Sequence, residues 1–226
     1  MQITEVSVIG VRSAVVTFRS PHTALRFTLF PMLHLGRAGF YRRVTTMIGA
    51  CDLIVAEGYD GPSSVGLAYL TAMRWTRQRA SQGLVHQNID YAALDVPVIW
   101  PDRLTRRTAH ARRMPWHGWL DLLLLVPALV VTMAVGGRQR LMARSFEVDD
   151  TTDARPFLGF LKKPMLTDRD AELVAALTEL HQTRAAEAIE VAVVYGAAHL
   201  PAACRGLADL GYRPQRGAEW LSVIDY

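Results

Sequence analysis

The sequence predicts an α/β fold with a mixed, mostly parallel central sheet flanked by helices, and three observations predict it. Short β-branched runs alternate with longer stretches of helical periodicity along much of the chain. The run 52–58 (DLIVAEG) is short and largely apolar, as a strand buried in a largely parallel sheet is, and 190–196 (EVAVVYG) is a further β-rich run. Two stretches, one beginning near residue 24 and one near 190, repeat the order strand, His-Leu, helix, strand. With 226 residues, half of them apolar, the chain can bury the core of one domain spanning 1–226.

Each element has its own local cause. Residues 4–18 alternate and are rich in β-branched side chains, which predicts a hairpin. ALRFTLF (24–30) alternates again, and Pro31 is expected to end that strand. Phe40, Val44, Met47 and Ile48 fall on one face of a helix beginning near Phe40. A further helix is predicted over 63–80, with Ser63 or Ser64 as its cap. DVPVIWPD (95–102) reads as another strand, and residues 104–117 as an arginine-rich helix. Thr167 is expected to cap an amphipathic helix with two acids in its first turn. A short helix over 199–211 and a final strand in AEWLSVIDY complete the series.

Composition narrows the function classes. Two cysteines, Cys51 and Cys204, are too few for a disulfide framework and lie in no metal-type spacing. They read as buried thiols, in keeping with a reducing, cytoplasmic setting. The opening residues alternate and carry no basic start with a continuous apolar core, so no signal peptide is expected. The net charge of +4 is concentrated between Arg74 and Arg144. No zinc-finger, homeodomain or RNA-recognition pattern accompanies these arginines, so nucleic acid is not an expected partner. Arginines beside an apolar helix match an anionic membrane surface better.

Residues 119–135 average about 2 per residue in mean hydropathy, within the range of transmembrane helices. Asp121 and Pro127 interrupt the stretch, and Arg112, Arg113, Arg138, Arg140 and Arg144 flank both ends. A single crossing there would separate His34 and Glu57 from Arg169 and His199. One shared site and a single span therefore exclude each other. The expectation is a hydrophobic helix in the core, in a contact between copies of the chain, or lying on a membrane.

Ligands in open α/β sheets bind beyond the carboxyl ends of strands, and His34, His199, Glu57 and Asp102 all fall there. Alone, each histidine reads as a hydrogen-bonded loop residue, and Glu57 reads equally as a helix-capping acid. Two histidines in matching positions of an internal repeat point instead to one shared polar site.

The run LFPMLHLGRAGFYRRVTTMIGACDLIVAEG resembles the opening signature of the TraB/TIKI superfamily, which is related to ChaN-like and erythromycin-esterase-like proteins. That signature is a GxxH motif after a strand, a helix, then a strand ending in Glu-Gly. A second GxxH stands intact as Gly196-Ala197-Ala198-His199, and Arg169-Asp170 matches the family's Arg-Asn pair. Gln87 and Asp102 echo its Gln-containing helix and Asp-ending strand. The resemblance implies two related strand–GxxH–helix–strand halves with a helical insertion at about 104–145. It also implies a divalent-metal-dependent hydrolase, peptidase-like in one branch, acting on a peptide or small molecule. Carried over residue by residue, His34, His199 and Glu57 are the metal or catalytic candidates, with either Glu57 or Asp102 as ligand and the other as base, and Arg169 is the candidate for orienting substrate or steadying negative charge. Manganese, cobalt and zinc are equally suited. Two positions depart from the pattern: Pro31 stands where the family has Gly, and Asp170 where it has Asn. Those departures favour a second reading, a catalytically inactive binding or regulatory protein on the same scaffold. A membrane surface and a second copy of the chain are further candidate partners.

Overall fold

The structure is a computed structural model that describes residues 1–33, 35–58, 84–101 and 159–225, with Leu123, Val126, Pro127, Val130 and Val131 between them. His34, Asp102 and the helices expected over 63–80 and 104–117 lie outside the described residues.

The sequence's alternating opening forms β1 (Thr4–Ser7) and β2 (Gly10–Arg19), an antiparallel hairpin. Strand β3 (Arg26–Met32) runs antiparallel to β2 and parallel to β8 (Glu190–Gly196). Next to β8 lie β5 (Leu53–Ala56) and then β7 (Val98–Ile99), both parallel to their neighbours. The fold is thus α/β, with a mixed sheet ordered β1-β2-β3-β8-β5-β7 whose last four strands run parallel. A small ladder of β4 (Leu35–Arg37) and β6 (Leu84–His86) stands beyond the carboxyl end of β3.

Strand β2 serves two sets of partners. Its first half lies between β1 and β10 (Glu219–Asp225), and its second half pairs with β3 and β9 (Arg213–Pro214). Pro31 lies inside β3 instead of ending it, and its residue pairs with Tyr195 on β8. Proline has no N–H for a ladder, and the β2–β3 pairing stops at Val16–Leu29. The Pro31 carbonyl accepts the Ser13 hydroxyl at 2.7 Å instead.

Alternation along the strands divides the core. Val191, Val193 and Tyr195 of β8 face α2 (Gly159–Arg184) and α3 (Leu200–Asp209), where Leu173, Leu177, Leu200 and Leu207 are fully buried. Ala192 and Val194 face the other way, toward Phe40, Tyr41, Val44 and Ile48 of α1 (Ala38–Ile48). Helices α2 and α3 meet at Gly206, where a Cβ would lie 3.0 Å from Val174 Cγ1. Helix α2 begins at Gly159, eight residues before the expected cap at Thr167, with Pro164 inside it. A Thr cap is a local preference of about 1 kcal/mol, and here the helix runs through it.

The two His-Leu stretches diverge after their helices. From α1 the chain enters β5, parallel to β8; from α3 it passes through β9 to β10, antiparallel to β2. Among the described residues no helix is long and apolar enough to cross a membrane.

Candidate functional site

Four side chains converge beyond the carboxyl ends of β5 and β8. The Glu57 N–H extends the ladder by bonding the Val194 carbonyl at 3.0 Å, which sets the side chain beside the end of β8. Its Oε2 accepts the Gly196 N–H at 2.8 Å. Glycine permits this approach: a Cβ at position 196 would meet Oε2 at 3.1 Å and the His199 ring at 3.7 Å. Oε1 accepts Arg169 Nη1 at 2.7 Å, so a guanidinium from α2 neutralises the carboxylate.

His199 closes a single 3-10 turn, Ala197–His199, between β8 and α3, and Pro201 starts the helix that follows. Its Nδ1 lies 2.7 Å from Asp170 Oδ1. An ionised carboxylate only accepts, so the ring proton sits on Nδ1 and a neutral ring keeps its lone pair on Nε2. Nε2 faces Glu57 Oε1 at 3.6 Å, too far for a hydrogen bond. Tyr195 presents an edge to the imidazole, with ring centres 6.0 Å apart. The His199 and Glu57 side chains are 7% and 13% exposed, while Arg169 and Asp170 are more open.

The surroundings are aromatic on one side. Tyr91, in a 3-10 turn after β6, packs edge-on to Trp100 at 5.1 Å. Burial pushes its phenol well above the usual tyrosine range, with the Glu57 charge adding to the shift. Gln87 follows β6, and its side-chain oxygen is buried without a partner among the described residues.

Of the residues expected at the site, Glu57, Arg169 and His199 are brought together, and His34 lies outside the described residues. Asp170, which stands where the resemblance has Asn, bonds His199. The Gly196 N–H is a contributor that the motif named only as a glycine. A cavity of about 220 Å³ lies away from this cluster, lined by Thr17, Thr28, Cys51, Glu190 and Arg216 among others, and no residue of the cluster lines it.

The donor chemistry suits a divalent cation in part. An imidazole held through Nδ1 by a carboxylate is the arrangement that orients metal-binding histidines. Two donor atoms 3.6 Å apart can share one ion at bond lengths of about 2.1 Å. Among the described residues, however, no group of three or more His, Cys, Asp or Glu side chains is arranged to hold a metal. Comparison with protein-family models, curated proteins and solved structures finds no match for this chain.

Proposed function

We propose that the chain is a metal-dependent hydrolase of the TraB/TIKI type, acting on a peptide or small molecule with a scissile carbonyl. One observation supports this reading most: two acceptors, His199 Nε2 and Glu57 Oε1, face each other at 3.6 Å beyond the strand ends. Two lone pairs so placed can share one cation, beside the Arg169 guanidinium that already bonds the Glu57 oxygen. His199 and Glu57 would be ligands, and His34, which follows β3 in the sequence, would supply a third. When bound, a divalent ion polarises a carbonyl and lowers the pKa of a bound water. Asp170 holds the imidazole in one tautomer and orientation. Arg169, at the open side, steadies the oxyanion that forms at the carbonyl once it exchanges part of its bond to Glu57 for the substrate. The same reading puts the enzyme at the periphery of a membrane, on its cytoplasmic side.

A second reading has its own support. Both Glu57 oxygens already have partners, Arg169 and the Gly196 N–H. A carboxylate so satisfied suits a binding or regulatory scaffold without catalysis.

Metal content decides between them. Untagged wild-type protein and the variants His34→Ala and His199→Ala are reconstituted with manganese, cobalt or zinc, and bound metal is measured. Near-stoichiometric metal, lost in both variants, is the expected result and would justify a hydrolase screen. A folded wild type that binds none of the three would leave only the scaffold reading.

A further inference from the structure

The cavity away from the Glu57 cluster has a floor built from three strands. Thr17 of β2 and Thr28 of β3 stand directly opposite each other, and Glu190 opens β8, two residues before the partner of Thr28. Strand alternation puts all three on the α1 face of the sheet, with Val15, Phe30, Ala192 and Val194. Glu190 and Gly196 are the two ends of β8, so this floor lies roughly 20 Å from the Glu57–His199 pair at a rise of about 3.3 Å per residue.

Hydrogen-bond direction makes the floor an acceptor. The Thr28 hydroxyl donates to Glu190 Oε1 at 2.6 Å. The Oγ1 atoms of Thr17 and Thr28 lie 3.0 Å apart. With its one proton committed to Glu190, Thr28 can only accept from Thr17. Both hydroxyl protons are therefore used within the floor. What remains for a ligand is the lone pairs of Thr17 and Glu190 Oε2, which Arg26 approaches only to 3.7 Å. The local charge has the same sense. Asp52 accepts the Glu190 N–H at 2.8 Å and so sets a second carboxylate nearby. Cys51 lines the cavity, and the charges of Glu190 and Asp52 add to burial in raising its thiol, against a smaller opposing effect of Arg26. Such a floor suits a cationic donor.

The chain between β9 and β10 supplies the opposite charge. It is fixed at Gln215, whose N–H bonds the Thr17 carbonyl at 2.8 Å. Arg216, the next residue, lines the cavity, is exposed and has no ion-pair partner among the described residues. Glu219, where β10 begins, already pairs with Arg43 of α1 at 2.9 Å. Val15, Phe30 and Met47 add apolar surface to the lining.

We propose that this cavity binds a small aliphatic α-amino acid as its zwitterion. The ammonium lies on Thr17 and Glu190, the carboxylate on Arg216, and the side chain against Val15, Phe30 and Met47. A simple anion would meet a floor that offers only acceptors. A simple cation would leave Arg216 unanswered and face its charge. A neutral apolar molecule would strip water from Thr17 and Glu190 without replacing its hydrogen bonds. The size agrees: about 220 Å³ is room for roughly seven waters at about 30 Å³ each, and lies below the roughly 300 Å³ at which pockets for drug-sized ligands begin. The site shares no residue with Glu57, Arg169, Asp170 and His199, so it holds whether or not the chain is a hydrolase.

The test is calorimetric titration of the full chain at about pH 6, where α-amines are protonated. L-Leucine is compared with glycine, leucinamide and 4-methylpentanoate, which lack the apolar side chain, the carboxylate charge and the ammonium in turn. Leucine is expected to bind once per chain, and each analogue at least about tenfold more weakly. Arg216→Ala, at an exposed position, should weaken leucine about tenfold and leave leucinamide unchanged. Thr17→Val keeps the side-chain shape, removes the acceptor, and should weaken leucine and leucinamide alike. Should that variant misfold, Arg216→Ala and the three analogues still decide. No binding of leucine, or leucine binding unchanged in Arg216→Ala, would overturn the proposal. So would glycine binding as tightly as leucine, or leucinamide doing so, which would point to a peptide amino terminus instead. His199→Ala should bind leucine as wild type does, which separates failure here from failure of the metal site.

Discussion

Glu57 is held by two groups, a guanidinium and a backbone N–H, while an imidazole faces it beyond bonding distance. A largely buried carboxylate with one charged partner is costly to break from either side. Arg169→Ala and Glu57→Ala should therefore each destabilise the fold, with a coupling energy on the order of 2 kcal/mol in a double-mutant cycle by urea unfolding. Additive losses would mean that the pair does not form in solution. Three of these residues were legible in the sequence because strand ends and a short motif point to them: Glu57 after β5, His199 after β8, Arg169 in its pair. The role of Asp170 was not. Its partner is 29 residues away, and adjacent residues on a helix point about 100° apart. Only the placement of α2 over β8 lets Arg169 reach Glu57 while Asp170 reaches His199.

At the scale of elements, periodicity served well where one face is buried and poorly where a local signal meets a longer helix. Helix α1 and strand β8 fall where the apolar spacing put them, because each packs a regular face on the core. Thr167 misled, since a capping signal reports a single-residue preference while α2 runs 26 residues. Pro31 misled in the same way: a strand tolerates proline where its ladder changes partner, and β3 leaves β2 there. The contact of α2 with α3 yields a sharper expectation. Val174 is β-branched and stiff at χ1, with two methyl groups 3.0 and 3.2 Å from a Cβ placed on Gly206. Gly206→Ala should lower stability by about 1–2 kcal/mol despite the better helix propensity of alanine. Adding Val174→Ala should recover most of that loss, as read from paired denaturation curves; no recovery would place the strain elsewhere.

For the whole molecule, the buried acids set an alkaline limit. Burial, then the charges of Glu190 and Asp52, push the Cys51 thiol from 9.0 up to about 12. Burial likewise raises the Tyr41 phenol well above its usual range, and that of Tyr91. The folded chain keeps these protons after the unfolded chain has released them, so stability falls as pH rises. The decline should begin near pH 9 and continue toward about 12, with melting temperature falling across that window. Cys51→Ala should make the fall shallower by roughly one proton's worth, about 1.4 kcal/mol per pH unit. A flat profile to pH 11 would contradict this account.

The shared strand β2 has a consequence for how the chain reaches this state. It is made early, yet one edge of its first half is closed only by β10, about 200 residues later, and such distant pairing is slow to form. Until β10 arrives, Gly10–Val15 presents an open, largely apolar template to any other strand nearby. Between translation of the first hairpin and arrival of the last strand, this edge is where a nascent chain is most exposed to mispairing, and a chaperone that covers it would guard the fold at its most vulnerable interval.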